Sequence, residues 1–212
     1  MQVLSRIRQA VLDALAVLSP VDCAGCGTPD RSLCDDCRVE LDAAVTPRTL
    51  ADGSTVFTAL RYEGVVRRTV LALKESGRTD VVGPLSVPLA AALSRVAQPG
   101  VEFLAVPTSS AAWRRRGYDP VRLLARRAGV RHTRVLRRAR QTASQKTLGA
   151  ADRAINIQGS MVSRTSLNGR RFILIDDVVT TGATLAEASR AITSAGGEVV
   201  GQAALAFTPR IF

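Results

Sequence analysis

Residues 171–187 read RFILIDDVVTTGATLAE, and this stretch decides the predicted fold. Residues 172–175 form a short apolar run that predicts a buried strand, and residues 185–195 follow a helical pattern. Between them stand two aspartates and a turn of small, hydroxyl-bearing residues. A strand, a turn and a helix in this order are typical of a parallel sheet covered by helices. Aromatic residues make up only 4% of the chain, so its core must consist mainly of aliphatic side chains, as in such sheets.

The remaining pattern extends this α/β prediction along the chain. Strands are predicted at 55–62, 101–107, 133–136 and 199–207, and helices at 65–75 and 81–96, the second containing Pro88. Residues 41–54 indicate a linker or a short hairpin. Residues 141–166 are polar and predict a long mobile loop. We expect two units: residues 1–50, with an N-terminal helix and four cysteines, and residues 51–212, with the sheet.

The acidic pair and the turn after it form a candidate ligand site. In a parallel sheet, ligands bind beyond the carboxyl ends of the strands, where Asp176 and Asp177 are expected. The turn then enters a helix whose first N–H groups lack partners and attract anions. The turn residues are Thr180, Thr181, Gly182, Ala183 and Thr184. A phosphate at the turn and sugar hydroxyls or hydrated Mg²⁺ at the carboxylates would match a 5′-phosphorylated ribose. An ordinary capped helix remains the alternative.

All four cysteines fall within fifteen residues, CAGCGTPDRSLCDDC. Cys23 and Cys26 form one C-x2-C pair, and Cys34 and Cys37 form the other. Two such pairs can surround one tetrahedral zinc ion, and four protein ligands leave no open position, so a structural site is expected. Disulfide bonds are the alternative.

The charge is concentrated in one segment. The chain has 29 basic and 18 acidic residues, a formal charge of +11, and residues 111–140 contain eleven arginines and one acid, Asp119. Such a block is typical of a surface that binds phosphate or nucleic acid. Solvated helix faces are the alternative. His132, within this block, is interpreted as a surface residue.

Residues 1–20 are apolar at close to a helical period, but charged side chains interrupt the run. This pattern predicts an amphipathic helix without a membrane span or a signal peptide, in a cytoplasmic protein.

Several segments together carry a family resemblance. ILIDDVVTTGATL resembles the phosphoribosyl-diphosphate (PRPP) loop of type I phosphoribosyltransferases. The segments LALKESGR, VPTSSAAWRRRGYD and LRRARQTASQKTLGAADRAIN, with the cysteine knuckle, resemble the ComF family of competence-associated, phosphoribosyltransferase-like proteins. The resemblance is colinear and covers nearly the whole chain.

The resemblance implies a role for each matching position. Asp176 and Asp177 would bind the ribose hydroxyls, directly or through Mg²⁺, and Thr180 to Thr184 would bind the 5′-phosphate. Residues 141–156, with Gln145 and Arg153, would form a flexible hood loop. Pro107, Thr108 and Ser109 would lie in the diphosphate turn. Lys74 matches the family's lysine, and Arg116 belongs to the arginine segment beside that turn. The family usually has Asn-Gln where this chain has Asp119-Pro120, and an aspartate there would repel a diphosphate unless Mg²⁺ or an arginine offsets it.

Two functions follow from these observations. The first is a phosphoribosyltransferase, in which a nitrogen nucleophile of unknown identity displaces diphosphate from PRPP, in nucleotide metabolism or DNA uptake. The second is a competence factor without catalytic activity that binds single-stranded DNA through the arginine block or docks a partner through the knuckle. Single-stranded DNA and a DNA-uptake helicase are its candidate partners.

Overall fold

The structure is a computed structural model that describes residues 21–139 and 159–209. The N-terminal helix predicted at 1–20 and the hood loop predicted at 141–156 lie outside these residues.

A six-stranded sheet forms the centre of the described chain. Its strands are β1 (Thr46–Thr49), β2 (Thr55–Arg61), β3 (Glu102–Ala105), β4 (His132–Thr133), β7 (Arg171–Val179) and β8 (Glu198–Phe207). The order is β1-β2-β8-β7-β3-β4, and all neighbours are parallel except β1 and β2. Strands β5 (Leu136–Arg138) and β6 (Met161–Ser163) pair antiparallel in a separate small sheet.

Helices cover both faces of the large sheet. They are α1 (Asp35–Val39), α2 (Gly64–Glu75), α3 (Val82–Ser94, after a 3-10 turn at Thr79–Val81), α4 (Ser110–Arg116), α5 (Pro120–Arg127) and α6 (Ala183–Thr193). Buried residues of α2, α3 and α5 share one hydrophobic cluster with Ile173 and Ile175 of β7. Residues of α6, β5 and β6 form a second cluster with Phe172 and Leu174. The alternation of side chains along β7 therefore separates two cores.

The predicted α/β class is confirmed, and the 41–54 segment is a hairpin because β1 pairs with β2. The strand predicted at 133–136 is wrong: His132 and Thr133 extend the large sheet beside β3, whereas Leu136 belongs to the β5–β6 pair. This short segment contributes to two different sheets, which local periodicity cannot reveal. Pro88 lies inside α3. The boundary between the two predicted units stays a prediction.

Strand β7 is longer than the apolar run that predicted it. It continues through both aspartates to Val179 because β8 continues to pair with it, with Asp176 opposite Ala204. On its other side β3 ends at Ala105, opposite Ile175. The acidic pair therefore stands just beyond the end of one neighbouring strand while the other neighbour still holds its backbone in place.

Candidate functional site

Asp177 faces the α2 side of the sheet, where it meets the lysine that the sequence singled out. Lys74 Nζ donates to Asp177 Oδ1 over 2.8 Å, and the same oxygen accepts the N–H of Val178 over 2.7 Å. Burial acts to lower the pKa of Lys74, but attraction to Asp177 outweighs this effect and the pKa is raised. Lys74 is therefore a fixed cation, and the second oxygen of Asp177 has no protein donor in the described chain.

Asp176 faces the opposite side of the sheet and has a different electrostatic environment. Its Oδ1 accepts the N–H of Asp177 over 2.8 Å. Burial and the neighbouring Asp177 carboxylate raise the pKa of Asp176 to about 7, against weaker lowering by Lys74 and Arg138. A carboxyl group with a pKa near neutrality gains most from a ligand that supplies hydroxyl donors or a cation.

Arg138 is a candidate site residue that the sequence did not single out. It lies at the end of β5, and its Nε donates to the carbonyl of Pro107 over 3.1 Å. Burial lowers the pKa of Arg138, while the charges of Asp176 and Glu187 oppose that shift. Arg138 comes two residues after Leu136, so in a strand both side chains lie on the same face, which indicates that Arg138 faces inward. The block contains eleven arginines, however, and the sequence alone did not distinguish Arg138 from the others.

The turn predicted to hold the diphosphate lies next to the acidic pair. Val106 donates its N–H to the carbonyl of Ile175 over 3.0 Å, which fixes Pro107 and Thr108 beside the end of β3. Ser109 closes the turn by accepting the N–H of Ala112 over 3.2 Å and thereby caps α4.

The turn after β7 has the backbone shape of a helix entrance. Thr180 and Thr181 are exposed, and Gly182 adopts a left-handed φ of 82° before α6 begins at Ala183. Thr181 Oγ1 accepts the N–H of Ala183 over 3.3 Å. A Cβ at Gly182 would lie 2.7 Å from a methyl carbon of Leu50, so both conformation and space require glycine there.

A cavity of about 560 Å³ opens beside this turn. Thr180 and Thr181 form one wall, and the β1–β2 hairpin and the end of β8 form the others. Arg48 stacks its guanidinium 3.7 Å from the centre of the Phe207 ring in this cavity. Arg61 also lines it and pairs with Glu63 over 2.7 Å. The cavity thus combines hydroxyl groups, an aromatic ring and two cations.

The predicted site residue Arg116 contacts α2 and not the aspartates. Its Nη2 lies 3.7 Å from Glu75 Oε1, and its Nε is buried without a partner in the described chain. The segment after Arg116 also contacts α2, because the Tyr118 hydroxyl donates to the carbonyl of Leu73. Asp119 is buried, accepts the N–H of Arg122 over 3.2 Å and lies 3.4 Å from its guanidinium. An arginine therefore offsets the charge of this aspartate, which acts as the cap of α5.

The four cysteines cluster as a metal site requires. Their sulfur atoms all lie within 4.8 Å of one another, with 3.7 Å between Cys23 and Cys34 and 3.6 Å between Cys26 and Cys34. Tetrahedral zinc with Zn–S bonds of about 2.3 Å needs sulfur separations of about 3.8 Å. The cysteines are free of disulfides. The group fits zinc.

Hydrogen bonds and close packing support this metal geometry. Burial acts to raise the pKa of Cys23, but backbone donors, led by the N–H of Cys34, lower it to about 6. Gly25 also donates to this sulfur, over 3.4 Å, and a Cβ at Gly25 would lie 2.6 Å from Cys37 Sγ. Burial raises the pKa of Cys37.

The fold and the site define a class. A mostly parallel sheet with an acidic pair and a Thr-Gly turn at the end of a central strand is the arrangement of a phosphoribosyltransferase-like domain. The family model described as a phosphoribosyl transferase domain matches residues 111–210.

Two curated relatives narrow the class. Competence protein F of Haemophilus influenzae is 33% identical over 94 residues, which cover 41% of each chain. Competence protein ComFC of Bacillus subtilis is 27% identical over 181 residues, 82% of this chain and 72% of the relative. The match thus spans less than half of the Haemophilus relative. Together with the family model, these matches at modest identity support a ComF-family phosphoribosyltransferase-like protein.

Among solved structures, the orotate phosphoribosyltransferase of Mycobacterium tuberculosis in complex with Fe(III) dicitrate is 20% identical. The match covers 79% of this chain and 82% of the orotate phosphoribosyltransferase chain, with a TM-score of 0.35. The fold follows the phosphoribosyl transferase family model and has a mostly parallel sheet. Every helix in the described ranges is too short or too polar to cross a lipid bilayer.

Proposed function

We propose that this chain binds a 5-phosphoribosyl ligand, PRPP together with Mg²⁺, at the carboxyl ends of β3 and β7. The observation that carries the proposal is the convergence of Asp176, Asp177 with its Lys74 partner, and the turn at Thr180 on one end of β7. The aspartates bind the ribose hydroxyls, and the turn with the first N–H groups of α6 binds the 5′-phosphate. The Pro107–Ser109 turn binds the diphosphate.

Charge balance supports a cation-assisted ligand. Two carboxylates alone would repel a diphosphate ester, but Lys74 neutralises one of them and Arg138 lies close enough to attract the other. Carboxylate oxygens without protein donors suit Mg²⁺, which binds few protein ligands and keeps much of its water. When bound, Mg²⁺ supplies charge neutralisation at the diphosphate.

The proposal extends to pentosyl transfer to an unidentified acceptor. Bond cleavage between ribose C1 and the diphosphate, with attack by a nitrogen nucleophile at C1, needs chiefly positioning and charge stabilisation, which fixed groups such as Lys74 can provide. The cavity beside Thr180 has room for further ligand atoms, and Arg48 stacked on the Phe207 ring forms part of its lining.

We further propose a structural zinc ion at Cys23, Cys26, Cys34 and Cys37, supported by the sulfur separations. The names of the two competence relatives support a role in competence. Single-stranded DNA and a DNA-uptake helicase stay predictions. The cytoplasmic location stays a prediction.

Calorimetry with PRPP tests the binding proposal. The wild-type chain is expected to release or absorb heat with PRPP and Mg²⁺. Asp177→Asn should weaken binding by about tenfold to hundredfold, because a charged hydrogen-bonding partner is lost. Glu198→Gln is the matched control, since Glu198 is exposed at the other end of the sheet. No heat for the wild-type chain, or equal affinity for Asp177→Asn, would contradict the proposal. Diphosphate release in the presence of a panel of bases then separates transfer from binding.

A further inference from the structure

The cavity beside the turn at Thr180, here called the Thr180 cavity, has an uneven distribution of charge. Two arginines line it, Arg48 and Arg61, and the described chain contributes no aspartate or glutamate to its wall. Its volume of about 560 Å³ is typical of small-molecule sites, which measure roughly 300–1,000 Å³. Thr180 and Thr181 belong both to this wall and to the turn proposed for the 5′-phosphate. A molecule in the cavity would therefore lie next to a bound phosphoribosyl group.

Arg48 is held in the cavity by an aromatic contact and not by an acid. Its guanidinium lies 3.7 Å from the centre of the Phe207 ring, and it makes no ion pair with any residue of 21–139 or 159–209. Stacking uses one face of the guanidinium plane, so the N–H groups at its edges stay available to a ligand. Two such donors in one plane match the two oxygens of a carboxylate.

Arg61 contributes less positive charge because an acid partly neutralises it. Its Nε donates to Glu63 Oε1 over 2.7 Å, and both side chains are exposed, so the pair is weak. Two guanidinium groups against one carboxylate leave a single positive charge at the cavity. This balance favours a ligand with one negative charge, such as a carboxylate, over a phosphate ester, which carries about −1.5 to −2 at neutral pH.

Acidic side chains border the arginine pair on its other side. Arg48 and Arg61 also line a second cavity, of about 310 Å³, together with Glu40, Asp42 and Glu63. Repulsion by these acids disfavours an anion in the second cavity. An anionic ligand is therefore directed to the side of the arginines that carries Thr180.

Thr208 adds a polar group without a partner to the Thr180 cavity. Its N–H donates to the carbonyl of Val179 over 2.9 Å, which places the residue beside the turn. Its hydroxyl is buried and makes no hydrogen bond within the described part of the chain. An oxygen or a ring nitrogen of a ligand would supply that partner.

We propose that the Thr180 cavity selects, as the acceptor, a planar nitrogen heterocycle that carries a carboxylate. This selection presupposes the phosphoribosyl site proposed above and gives its acceptor a chemical class. The edge of the Arg48 guanidinium binds the carboxylate, and Arg61 adds a second, weaker contact. The Thr208 hydroxyl bonds to the ring.

The carboxylate orients the acceptor and takes no part in bond making. The lone pair of a ring nitrogen attacks ribose C1. The bond from C1 to the diphosphate oxygen breaks, and its electron pair leaves with the diphosphate. A proton on that nitrogen, where the ring carries one, passes to the diphosphate or to water.

Matched pairs of ring compounds test the preference. Nicotinate and nicotinamide differ only in a carboxylate against a neutral amide, and orotate differs from uracil by its carboxylate. In calorimetry of the full chain, alone and with PRPP and Mg²⁺, at least one acid should bind about tenfold or more tightly than its neutral counterpart, because the neutral compound lacks the charged hydrogen bonds. Diphosphate release from PRPP should follow the same order in kcat/KM.

Substitutions at the arginine pair provide the second arm. Arg48→Gln should weaken binding of the acid by about tenfold and leave the neutral compound within about threefold, which also shows that the variant is folded. Arg48→Lys keeps the charge without the planar fork and should retain part of the preference. Glu63→Gln releases Arg61 and should tighten binding of the acid by up to about fivefold. Arg95→Gln removes the same charge at an exposed position after α3, and this matched control should change neither affinity.

Several results would overturn the proposed class of acceptor. These are equal affinities of acid and neutral compound in both pairs, equal losses for Arg48→Gln and Arg95→Gln, or tightest binding of a neutral purine such as adenine without dependence on Arg48. PRPP binding with no preference for an acid would refute the acceptor class alone. Absence of PRPP binding would refute the phosphoribosyl proposal, whereas a preference for the acid that depends on Arg48 and is measured without PRPP would still support the selectivity of the cavity.

Discussion

At the scale of single residues, Asp176 and Asp177 differ in their surroundings within the proposed site. Backbone pleating directs their side chains to opposite faces of β7. Asp177 thereby meets Lys74, which balances its charge, whereas Asp176 makes no ion pair with a described residue and has a pKa raised to about 7. The two carboxylates therefore have partners from different layers of the fold, while the charge of Asp177 still acts on Asp176.

The raised pKa of Asp176 predicts a pH-dependent cost of folding. In the unfolded chain this group ionises near pH 3.8, but in the folded chain it does so only near 7. Between these values, raising the pH favours the unfolded state. Asp176→Asn removes this titration, so its gain in unfolding free energy over the wild type should be larger at pH 8 than at pH 5, by up to about 3 kcal/mol.

Urea denaturation at the two pH values, without added Mg²⁺, measures this difference. Glu198→Gln serves as the control, because Glu198 is exposed and should give the same small effect at both pH values. An Asp176→Asn gain that does not change with pH would contradict the assigned environment.

At the scale of elements, the end of α2 is where several parts of the chain meet. It carries Lys74 for the site and Glu75 for the arginines of α4, which approach it at 2.8 Å from Arg115 and 3.7 Å from Arg116. The last carbonyls of a helix lack intrahelical donors, and the Tyr118 hydroxyl binds one of them, that of Leu73. The segment after α4 thus caps the helix that holds the site lysine.

Tyr118→Phe should therefore destabilise the fold. Loss of this partly buried hydrogen bond should lower the unfolding free energy by about 1 kcal/mol. Chemical denaturation measures the change. Tyr62→Phe is the matched control, because the Tyr62 hydroxyl makes no hydrogen bond to the described residues and its loss should change little. Equal effects of the two variants would mean that the contact between Tyr118 and Leu73 is not a cap.

At the scale of the whole molecule, the cysteine knuckle shares a core with the sheet. Cys23, Leu33 and Cys37 lie in the hydrophobic cluster that also contains Leu73 of α2. Arg68 of α2 donates to the carbonyl of Gly25, and Arg78 donates to that of Asp22 over 2.9 Å. The knuckle therefore packs against the helix that carries Lys74, and its order should affect the entire fold.

Removal of the proposed zinc ion should lower the melting temperature of the whole chain. Without a cation the four cysteines lose the bonds that would hold them together, so their packing against α2 should be lost. A loss of several kcal/mol corresponds to a decrease of roughly 10 °C for a chain of this size. Scanning calorimetry before and after chelation, with zinc added back as the control, measures it. An unchanged melting temperature in a chain shown to lose its zinc would contradict this coupling.

The sequence predicted the features that consist of residues close together along the chain. The acidic pair, the Thr-Gly turn and the cysteine spacing could be located from residue types alone, and the structure brings Lys74 to Asp177 across 103 residues of sequence. The assignment of Lys74 depended on family resemblance, because no local pattern encodes a contact over that separation. Arg138 and the extension of β7 were missed because a neighbouring strand, rather than local composition, determines both.

The hairpin of β1 and β2 has an evolutionary consequence. Leu50 at its tip packs against Gly182, and Arg48 covers Phe207, so one wall of the ligand cavity lies outside the parallel part of the sheet. Strand β1 is an edge strand that pairs only with β2, so fewer strand contacts constrain its side chains than those of β7. Descendants of a common ancestor can therefore acquire new ligand preferences through a few substitutions at residues 46–51, while the acidic pair and its turn stay unchanged.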